Sequence, residues 1–203
     1  MVNVIKRPEN ENDMFLLTLS DFQLSNKQLS NLQKTDEYLM VKTKQFENQN
    51  IEKEAFSRFT NRPSFRNWEK INKLEGTIYT YAVKDRNGVS YMSAMYLVKE
   101  MLKKNPKTKR CILRIANSLN DYFLSEIDGK DVSCLSMIHY KKDSVCLTFR
   151  ASDIENELFV DLITIYNFFI KPIYDRKINI EIFASTGQNV NKFNKFTNKV
   201  KNL

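Results

Sequence analysis

The segment ELFVDLITIYNFFIKPI, residues 157–173, constrains the fold of this chain more than any other stretch. Its apolar side chains fall on most faces of a helix, so a helix there must be covered on nearly all sides. The segments around it have the short apolar runs that are typical of β-strands. A buried helix among strands predicts an α+β fold, in which a mixed β-sheet packs against one long core helix.

Seven apolar runs favour strands, because they are short and rich in β-branched and aromatic residues. They are residues 14–22, 37–41, 76–83, 110–116, 133–140, 144–151 and 178–185. The fifth and sixth runs are separated only by the turn sequence KKD. They are therefore predicted to form an antiparallel hairpin.

Two further helices are predicted. Residues 91–104 carry apolar side chains at helical spacing, Ser90 is a suitable N-cap, and Pro106 ends the pattern. The tail, residues 190–203, is predicted to form a short basic helix.

The chain has 203 residues and a net charge of +8 at pH 7. The length suits one domain, 1–203, with a sizeable core. A basic surface attracts phosphate on a nucleotide, a nucleic acid or a membrane. Lysines dominate and acidic residues lie among them, so the charge also fits an ordinary solvated surface. Nucleic-acid binding is therefore one hypothesis, which we do not favour as the main role.

The cysteines and the only histidine limit the metal and redox chemistry. Cys111, Cys134 and Cys146 lack the CxxC spacing of a metal site, and their odd number predicts reduced thiols. His139 is the only histidine in the sequence, so a metal site with several histidine ligands is excluded. The opening residues have no signal-peptide pattern, and no apolar run reaches about 18 residues, so we expect a cytoplasmic protein without membrane contact.

Cys134 and Arg150 are candidates for a nucleophile and the group that activates it. They lie at the far ends of the predicted hairpin, which would bring them together. A thiol reacts as the thiolate, and a nearby guanidinium favours that form. The alternative is structural, because cysteine is often a small buried residue and a strand-end arginine is often solvated.

The order of the motifs around this hairpin resembles the thymidylate synthase and deoxycytidylate hydroxymethylase superfamily. In that family LGPVYG, a helix, PxSRR, a cysteine in PPC, RSxD, an asparagine on the core helix and HxY follow one another. Here the corresponding segments are EGTIYTY (75–81), NPKTKR (105–110), VSC (132–134), RASD (150–153) and FASTGQN (183–189). The resemblance implies one thymidylate-synthase-like domain with a divergent N-terminal region, 1–60, a family-like core, 68–189, and a short basic tail.

The resemblance implies one-carbon transfer, either hydroxymethylation or methylation, to C5 of a pyrimidine nucleoside monophosphate, without a metal. Cys134 would attack C6 of the base, which is covalent catalysis. Arg150 would hold the 5′-phosphate and favour the thiolate. Asp153 would fix the base and the folate, and Tyr79 would join the water network near C5. The one-carbon unit would come from 5,10-methylenetetrahydrofolate.

The resemblance also implies further binding residues. Ser152 and Ser185 would bind the substrate, and Trp68 the folate. Lys109 and Arg110 would reach a phosphate across the interface of a homodimer that packs sheet on sheet. Lysine at 109 departs from the family's arginine, since it keeps the charge but loses the planar fork. The alternative for this pair is a solvated charge cluster at a helix end.

Asp161 is the most informative departure from the family pattern, since the family has asparagine there. Asparagine can donate to O4 and accept from N3–H of uracil. A carboxyl group can accept from the exocyclic amine of cytosine and, if protonated, donate to N3. Deoxycytidylate hydroxymethylases also have aspartate at this position, so Asp161 favours a cytidine nucleotide. The alternative is a charge that faces solvent.

Other departures favour a different hypothesis. Gly187 and Asn189 stand where the family has the His and Tyr that hold the sugar, and Phe149 stands for a Gln. The segment that closes over the folate is expected to be missing or reduced. His139 replaces another Gln and is predicted to be a core-facing, hydrogen-bonded residue. The second hypothesis is thus a catalytically degenerate relative that binds a nucleotide or nucleic acid without turnover.

Overall fold

The structure, a computed structural model, describes residues 1–35, 91–114 and 134–203. In these ranges a six-stranded sheet has the strand order β1-β2-β7-β5-β4-β3. Its strands are β1 (Val2–Lys6), β2 (Phe15–Phe22), β3 (Ile112–Arg114), β4 (Leu135–Tyr140), β5 (Ser144–Phe149) and β7 (Ile178–Ala184). β5 and β7 are parallel and the other neighbouring pairs are antiparallel. The predicted α+β class with a mixed sheet is therefore confirmed.

A second, short pair of strands lies next to one end of this sheet. β6 (Ser152–Asp153) and β8 (Gly187–Gln188) run parallel to each other. β6 follows β5 in the chain, and β8 follows β7. Because β5 and β7 are parallel, both short strands lie beyond the same end of the main sheet.

Four α-helices accompany the sheet in the described ranges. They are α1 (Asn26–Leu32), α2 (Tyr91–Lys104), α3 (Leu158–Ile165) and α4 (Phe193–Lys201). A capping box formed by Ser25 and Gln28 starts α1. The bounds of α2 are those predicted from the sequence. The predicted tail helix is also present, and it buries Phe193, Phe196 and Val200 along one side.

The core helix is shorter than the predicted 157–173. Seven of the eight residues of α3 are buried, as its composition requires. The chain then widens into a π-helical turn, Tyr166–Ile170, in which Lys171 N donates to Tyr166 O at 2.8 Å. Pro172 follows, and because it has no N–H it cannot continue a helical ladder.

The strand β1 was not predicted, whereas the other observed strands of the main sheet fall within predicted runs. Four of its five residues are exposed, and among the described strands its main chain pairs only with β2. In its sequence, VNVIK, the apolar alternation ends at Val4 because the apolar Ile5 follows directly. The predicted strands 37–41 and 76–83 lie outside the described residues.

One face of the sheet covers the core, and the opposite face is half-buried. The core face carries Leu17, Leu147 and Ile182, which are fully buried. The outer face carries Leu16, Met137, Cys146 and Phe183 with intermediate exposure, while Ile112 is 44% exposed. None of the helices in the described part of the chain has the length and apolar character needed to cross a membrane.

His139 lies on this outer face, so the prediction of a core-facing histidine is wrong. It pairs with Ile112 on β3 and with Cys146 on β5. Its Nε2 atom is buried and finds no hydrogen-bond partner among the described residues. Burial and the nearby Lys141 lower the pKa of His139, while Glu181 acts in the opposite direction.

Candidate functional site

Cys134 and Arg150 face each other at one end of the β4–β5 hairpin. Leu135 pairs with Phe149, and the next position outward places Cys134 opposite Arg150. The backbone N–H of Arg150 donates to the carbonyl oxygen of Cys134 at 2.8 Å. Directly opposed strand residues have Cβ atoms about 5 Å apart. The geometric part of the prediction, that the hairpin brings these two residues together, therefore agrees with the structure.

Ser185 lies on the other side of Arg150. Phe149 pairs with Ala184 of β7, and the N–H of Ser185 donates to Phe149 O at 3.1 Å. Cys134 is half-buried, whereas Arg150 and Ser185 are exposed. These three residues thus form a row across the ends of β4, β5 and β7, and we call it the strand-end row.

The β6–β8 pair forms a second layer beyond the strand-end row. The N–H of Ser152 donates to Thr186 O at 2.9 Å, and the N–H of Ile154 donates to Gln188 O at 3.0 Å. These bonds fix Ser152 and Asp153 close to the row. Ser152 is 2% exposed, and its hydroxyl has no hydrogen-bond partner among the described residues.

The Asp153 carboxylate accepts four hydrogen bonds within the chain. Its Oδ1 accepts from the N–H groups of Glu155 and Asn156, both at 3.1 Å, and from Asn189 Nδ2 at 2.9 Å. Its Oδ2 accepts from Asn156 Nδ2 at 2.9 Å. Burial acts to raise the pKa of Asp153, but the hydrogen bonds from Asn156 and Asn189 outweigh it and lower the pKa. Asp153 is therefore an ionised, oriented carboxylate at neutral pH.

Asn189 and Glu11 complete this network, and sequence reasoning gave neither of them this role. Asn189 has a φ of 55°, in the left-handed region. Its N–H donates to Glu11 Oε2 at 2.8 Å, and the N–H of Val190 donates to Glu11 Oε1 at 3.2 Å. The acidic N-terminal loop was the only sequence signal for Glu11, and its partner is 178 residues away.

Gly187 is fixed between the N-terminal loop and β6. Its N–H donates to Asp13 O at 2.9 Å, and its carbonyl accepts from the N–H of Asn12 at 2.8 Å. A Cβ atom at this position would lie 3.2 Å from Asp13 O and 3.2 Å from a methyl carbon of Ile154. The close approach of the N-terminal loop therefore explains why a large side chain such as histidine is absent here.

Asp161 is buried on α3, so the interpretation of a solvent-facing charge is wrong. Only 4% of this residue's surface is exposed. The N–H of Glu157 donates to Asp153 O at 3.1 Å, and the N–H of Asp161 donates to Glu157 O at 2.8 Å. Glu157 therefore connects the Asp153 loop to α3, and Asp161 lies one helical turn after Glu157.

Lys109 and Arg110 lie at the opposite end of the sheet from the strand-end row. Both are exposed, and they follow α2 in a loop, so they are not a helix-end cluster. The N–H of Tyr140 donates to Cys111 O, which places this loop beside the last residue of β4. β4 has 6 residues, or about 20 Å at the rise of a strand. Within one chain, Lys109 and Arg110 therefore do not join Arg150.

No family model matches this sequence, and no curated protein matches it. The resemblance stated above therefore stays a prediction that depends on the motifs themselves. Tyr79 and Trp68, which it also implies, lie outside the described residues.

Asp153 is the described residue that can be tested against the predicted folate. Carboxylate oxygens each offer about two acceptor positions. Oδ1 already accepts three hydrogen bonds within the chain, whereas Oδ2 accepts one. Oδ2 therefore keeps the capacity to accept an N–H of a pterin ring. Among the described residues, no group of three or more His, Cys, Asp or Glu side chains is arranged to hold a metal ion.

Proposed function

We propose that this chain is a thymidylate-synthase-like transferase that adds a one-carbon unit to C5 of a pyrimidine nucleoside monophosphate. A cytidine nucleotide is the favoured substrate. The observation that carries the proposal is the strand-end row, in which Cys134 faces Arg150 and Ser185 lies alongside. A thiol, a guanidinium and a hydroxyl at adjacent positions can serve one nucleotide, as nucleophile and as phosphate ligands.

Cys134 would supply the covalent step. Its thiolate forms a sulfur–carbon bond at C6, and the electron pair of the C5–C6 double bond moves to C5, which becomes the nucleophile. C5 would form a bond to the one-carbon unit that methylenetetrahydrofolate supplies. Loss of the C5 proton would leave an electron pair that expels the folate nitrogen, so that the base carries a methylene group. Addition of water to this methylene, or of a hydride from the tetrahydrofolate, would restore the C5–C6 double bond and expel Cys134 as thiolate, which gives a hydroxymethyl or a methyl product. Arg150 would favour the thiolate before and after this cycle.

Asp161 would select the base. A carboxylate can accept a hydrogen bond from the exocyclic amine of cytosine, whereas O4 of uracil is an acceptor that requires a donor. The low exposure of Asp161, 4%, supports this role over a solvated one.

A homodimer would complete the phosphate site. The outer face of the sheet carries the half-buried Met137 and Phe183 and the exposed Ile112, which suits contact with another sheet. If the twofold axis lies between the two packed sheets and is perpendicular to their strands, the strands of the two subunits run in opposite directions. Each end of one sheet then lies over the other end of its partner. Lys109 and Arg110 of one subunit would then approach the strand-end row of its partner.

Release of the C5 hydrogen tests the proposal directly. We would incubate C5-tritiated dCMP, dUMP, CMP and UMP, with and without methylenetetrahydrofolate, with the wild type, with Cys134→Ala and with the control Cys146→Ala. We expect release from dCMP or CMP that disappears in Cys134→Ala and persists in Cys146→Ala. Asp161→Asn should shift the preference toward the uracil nucleotide. Release that survives in Cys134→Ala would contradict covalent attack at C6.

The second candidate function is nucleotide binding without turnover, and two observations favour it. Gly187 has no side chain, and the amide of Asn189 is engaged by Asp153, so neither takes the place of a sugar-binding His or Tyr. For this function no nucleotide loses its label. Binding, measured by calorimetry, would then persist in Cys134→Ala and weaken in Arg150→Ala.

A further inference from the structure

A basic cleft lies at the end of the sheet that is remote from Cys134. Its volume is about 460 Å³, and it is formed between the last turns of α2, the β4–β5 turn and the segment that precedes β7. Four cations from these three elements line it, namely Lys99, Lys103, Lys142 and Arg176. Two carboxylates, Glu100 and Asp175, also line it, so the cations are in excess.

The convergence of these cations is not explained by local helix chemistry. Lysines in the last turn of α2 complement the negative end of the helix dipole, which accounts for Lys103. The dipole does not account for Lys142 and Arg176, which come from other segments and face the same cleft. All four cationic residues are exposed.

Hydrogen bonds fix the walls of the cleft. Lys99 Nζ donates to Pro172 O at 3.2 Å and joins α2 to the turn that follows the π-helical segment. Arg176 donates to Lys142 O at 2.8 Å and pairs with Asp143 at 2.9 Å. The Tyr174 hydroxyl donates to Lys141 O at 2.6 Å. Tyr174 and Arg176 thus hold the β4–β5 turn through its carbonyl oxygens, so the backbone position of Lys142 is fixed without a ligand.

We propose that this cleft binds the phosphodiester backbone of a single-stranded nucleic acid. Exposed Lys104 and Lys107 are next in the chain to the lining residues Lys103 and Pro106, so further positive charge accompanies the cleft. Charge that is spread along a groove matches a polyanion better than one small phosphate. Tyr174 is 6% exposed, so it offers no ring for base stacking, and we expect binding without sequence preference.

This inference is independent of the proposed transferase, because no residue of the strand-end row takes part. Lys103 and Lys142 are the best residues to change. Both are exposed, and within the described part of the chain neither forms a hydrogen bond or ion pair through its side chain, so we expect their replacement to preserve the fold. Lys6 and Arg7 offer a matched control, since both are exposed and lie at the end of β1, which is the edge strand at the other side of the sheet from β3.

The experiment measures fluorescence anisotropy of a labelled 20-mer oligothymidylate over a series of KCl concentrations. We expect the double variant Lys103→Glu/Lys142→Glu to bind at least about tenfold more weakly than the wild type. The slope of log K against log salt should fall by about 1.4, or about 0.7 for each lost phosphate contact. The control Lys6→Glu/Arg7→Glu has the same net charge and should bind like the wild type.

Three outcomes would overturn the proposal. The first is equal binding by the wild type and the Lys103→Glu/Lys142→Glu protein. The second is an equal loss in the control, which would mean that only net charge matters. The third is displacement of the oligonucleotide by inorganic triphosphate at the same phosphate concentration, or preferential binding of anionic phosphatidylserine vesicles through Lys103 and Lys142. That result would assign the cleft to a small anion or to a lipid surface.

Discussion

The two ends of the six-stranded sheet are held together in different ways. At the end with Cys134, the half-buried Asp153 carboxylate alone accepts four hydrogen bonds from backbone and side-chain amides. At the end with the β4–β5 turn, the exposed Lys99 and Arg176 donate to carbonyl oxygens of Pro172 and Lys142, and two ion pairs, Arg176–Asp143 and Lys141–Glu181, lie alongside. The first arrangement converges on one carboxylate, and the second holds the turns that carry exposed cations.

This difference suits ligands of different kinds. A reaction at one carbon atom needs groups that are held in position before the substrate binds. A flexible polyanion needs only a favourable field, and long lysine side chains can adjust to it. The comparison also predicts how stability is distributed: substitutions in the Asp153 network should reduce the free energy of unfolding more than substitutions of charges around the cleft.

The largest effect is expected at Asn189, which combines a hydrogen bond to Asp153 with a left-handed backbone. Asn189→Ala removes the bond to an ionised group and places an alanine at positive φ. Together these changes should lower the free energy of unfolding by about 2–3 kcal/mol, as measured by urea denaturation.

Asn189→Gly separates the two causes, because glycine tolerates positive φ but lacks the amide. We expect it to lose about 1–2 kcal/mol, less than alanine. If both variants are as stable as the wild type, the Asp153 network does not stabilise this end of the sheet, and the comparison between the two ends fails.

A smaller effect should appear in the pH dependence of stability. The pKa of Asp153 is lowered in the folded protein, so the unfolded chain binds its proton more tightly. The stabilisation is therefore complete above the ordinary carboxylate pKa and is lost as the pH falls below about 4. We expect the difference in unfolding free energy between the wild type and Asp153→Asn to be about 1 kcal/mol at pH 6 and to shrink toward pH 3.

Asp13 provides the control for this measurement. The pKa of its carboxylate is also lowered, by hydrogen bonds from the N–H groups of Asn10 and Glu9, but Asp13 lies at the surface of a loop. The variant Asp13→Asn should show a weaker dependence on pH than Asp153→Asn. A pH-independent difference for Asp153→Asn would mean that the folded protein does not favour the ionised carboxylate.

Local sequence patterns were sufficient to predict most of the sheet and the approach of Cys134 to Arg150. Strands with an apolar face alternate, and a three-residue turn between two such strands fixes their pairing. The same patterns could not predict β1, since its alternation lasts only three residues and four of its five residues are exposed. The end of α3 at a π-helical turn depends on tertiary contacts, such as that between the Tyr140 hydroxyl and Phe169 O.

The roles of Asn189 and Glu11 could not be predicted for a related reason. Both depend on bonds between segments that are far apart in the chain, and an Asn-rich sequence offers many equivalent candidates. The motif order alone identifies Gly187 and Asn189 only as departures from a family pattern. The structure gives them a positive role, because Gly187 admits the N-terminal loop and Asn189 orients Asp153.

The smallest effect is expected for the ion pair between Arg176 and Asp143 at the rim of the cleft. The two side chains are 54% and 62% exposed, so water and salt screen their attraction. A double-mutant cycle with Arg176→Ala and Asp143→Ala should give a coupling energy of at most about 0.5 kcal/mol in urea denaturation, decreasing with added salt. Arg176→Ala alone should cost more than Asp143→Ala, because Arg176 also donates to Lys142 O.

A coupling energy above about 1.5 kcal/mol would place this end of the sheet in the same class as the Asp153 network and remove the contrast between a rigid end and an adaptable one. Such a result would also weaken the case for a polyanion, since a cation held this strongly by its own carboxylate contributes little to a field that a nucleic acid can use.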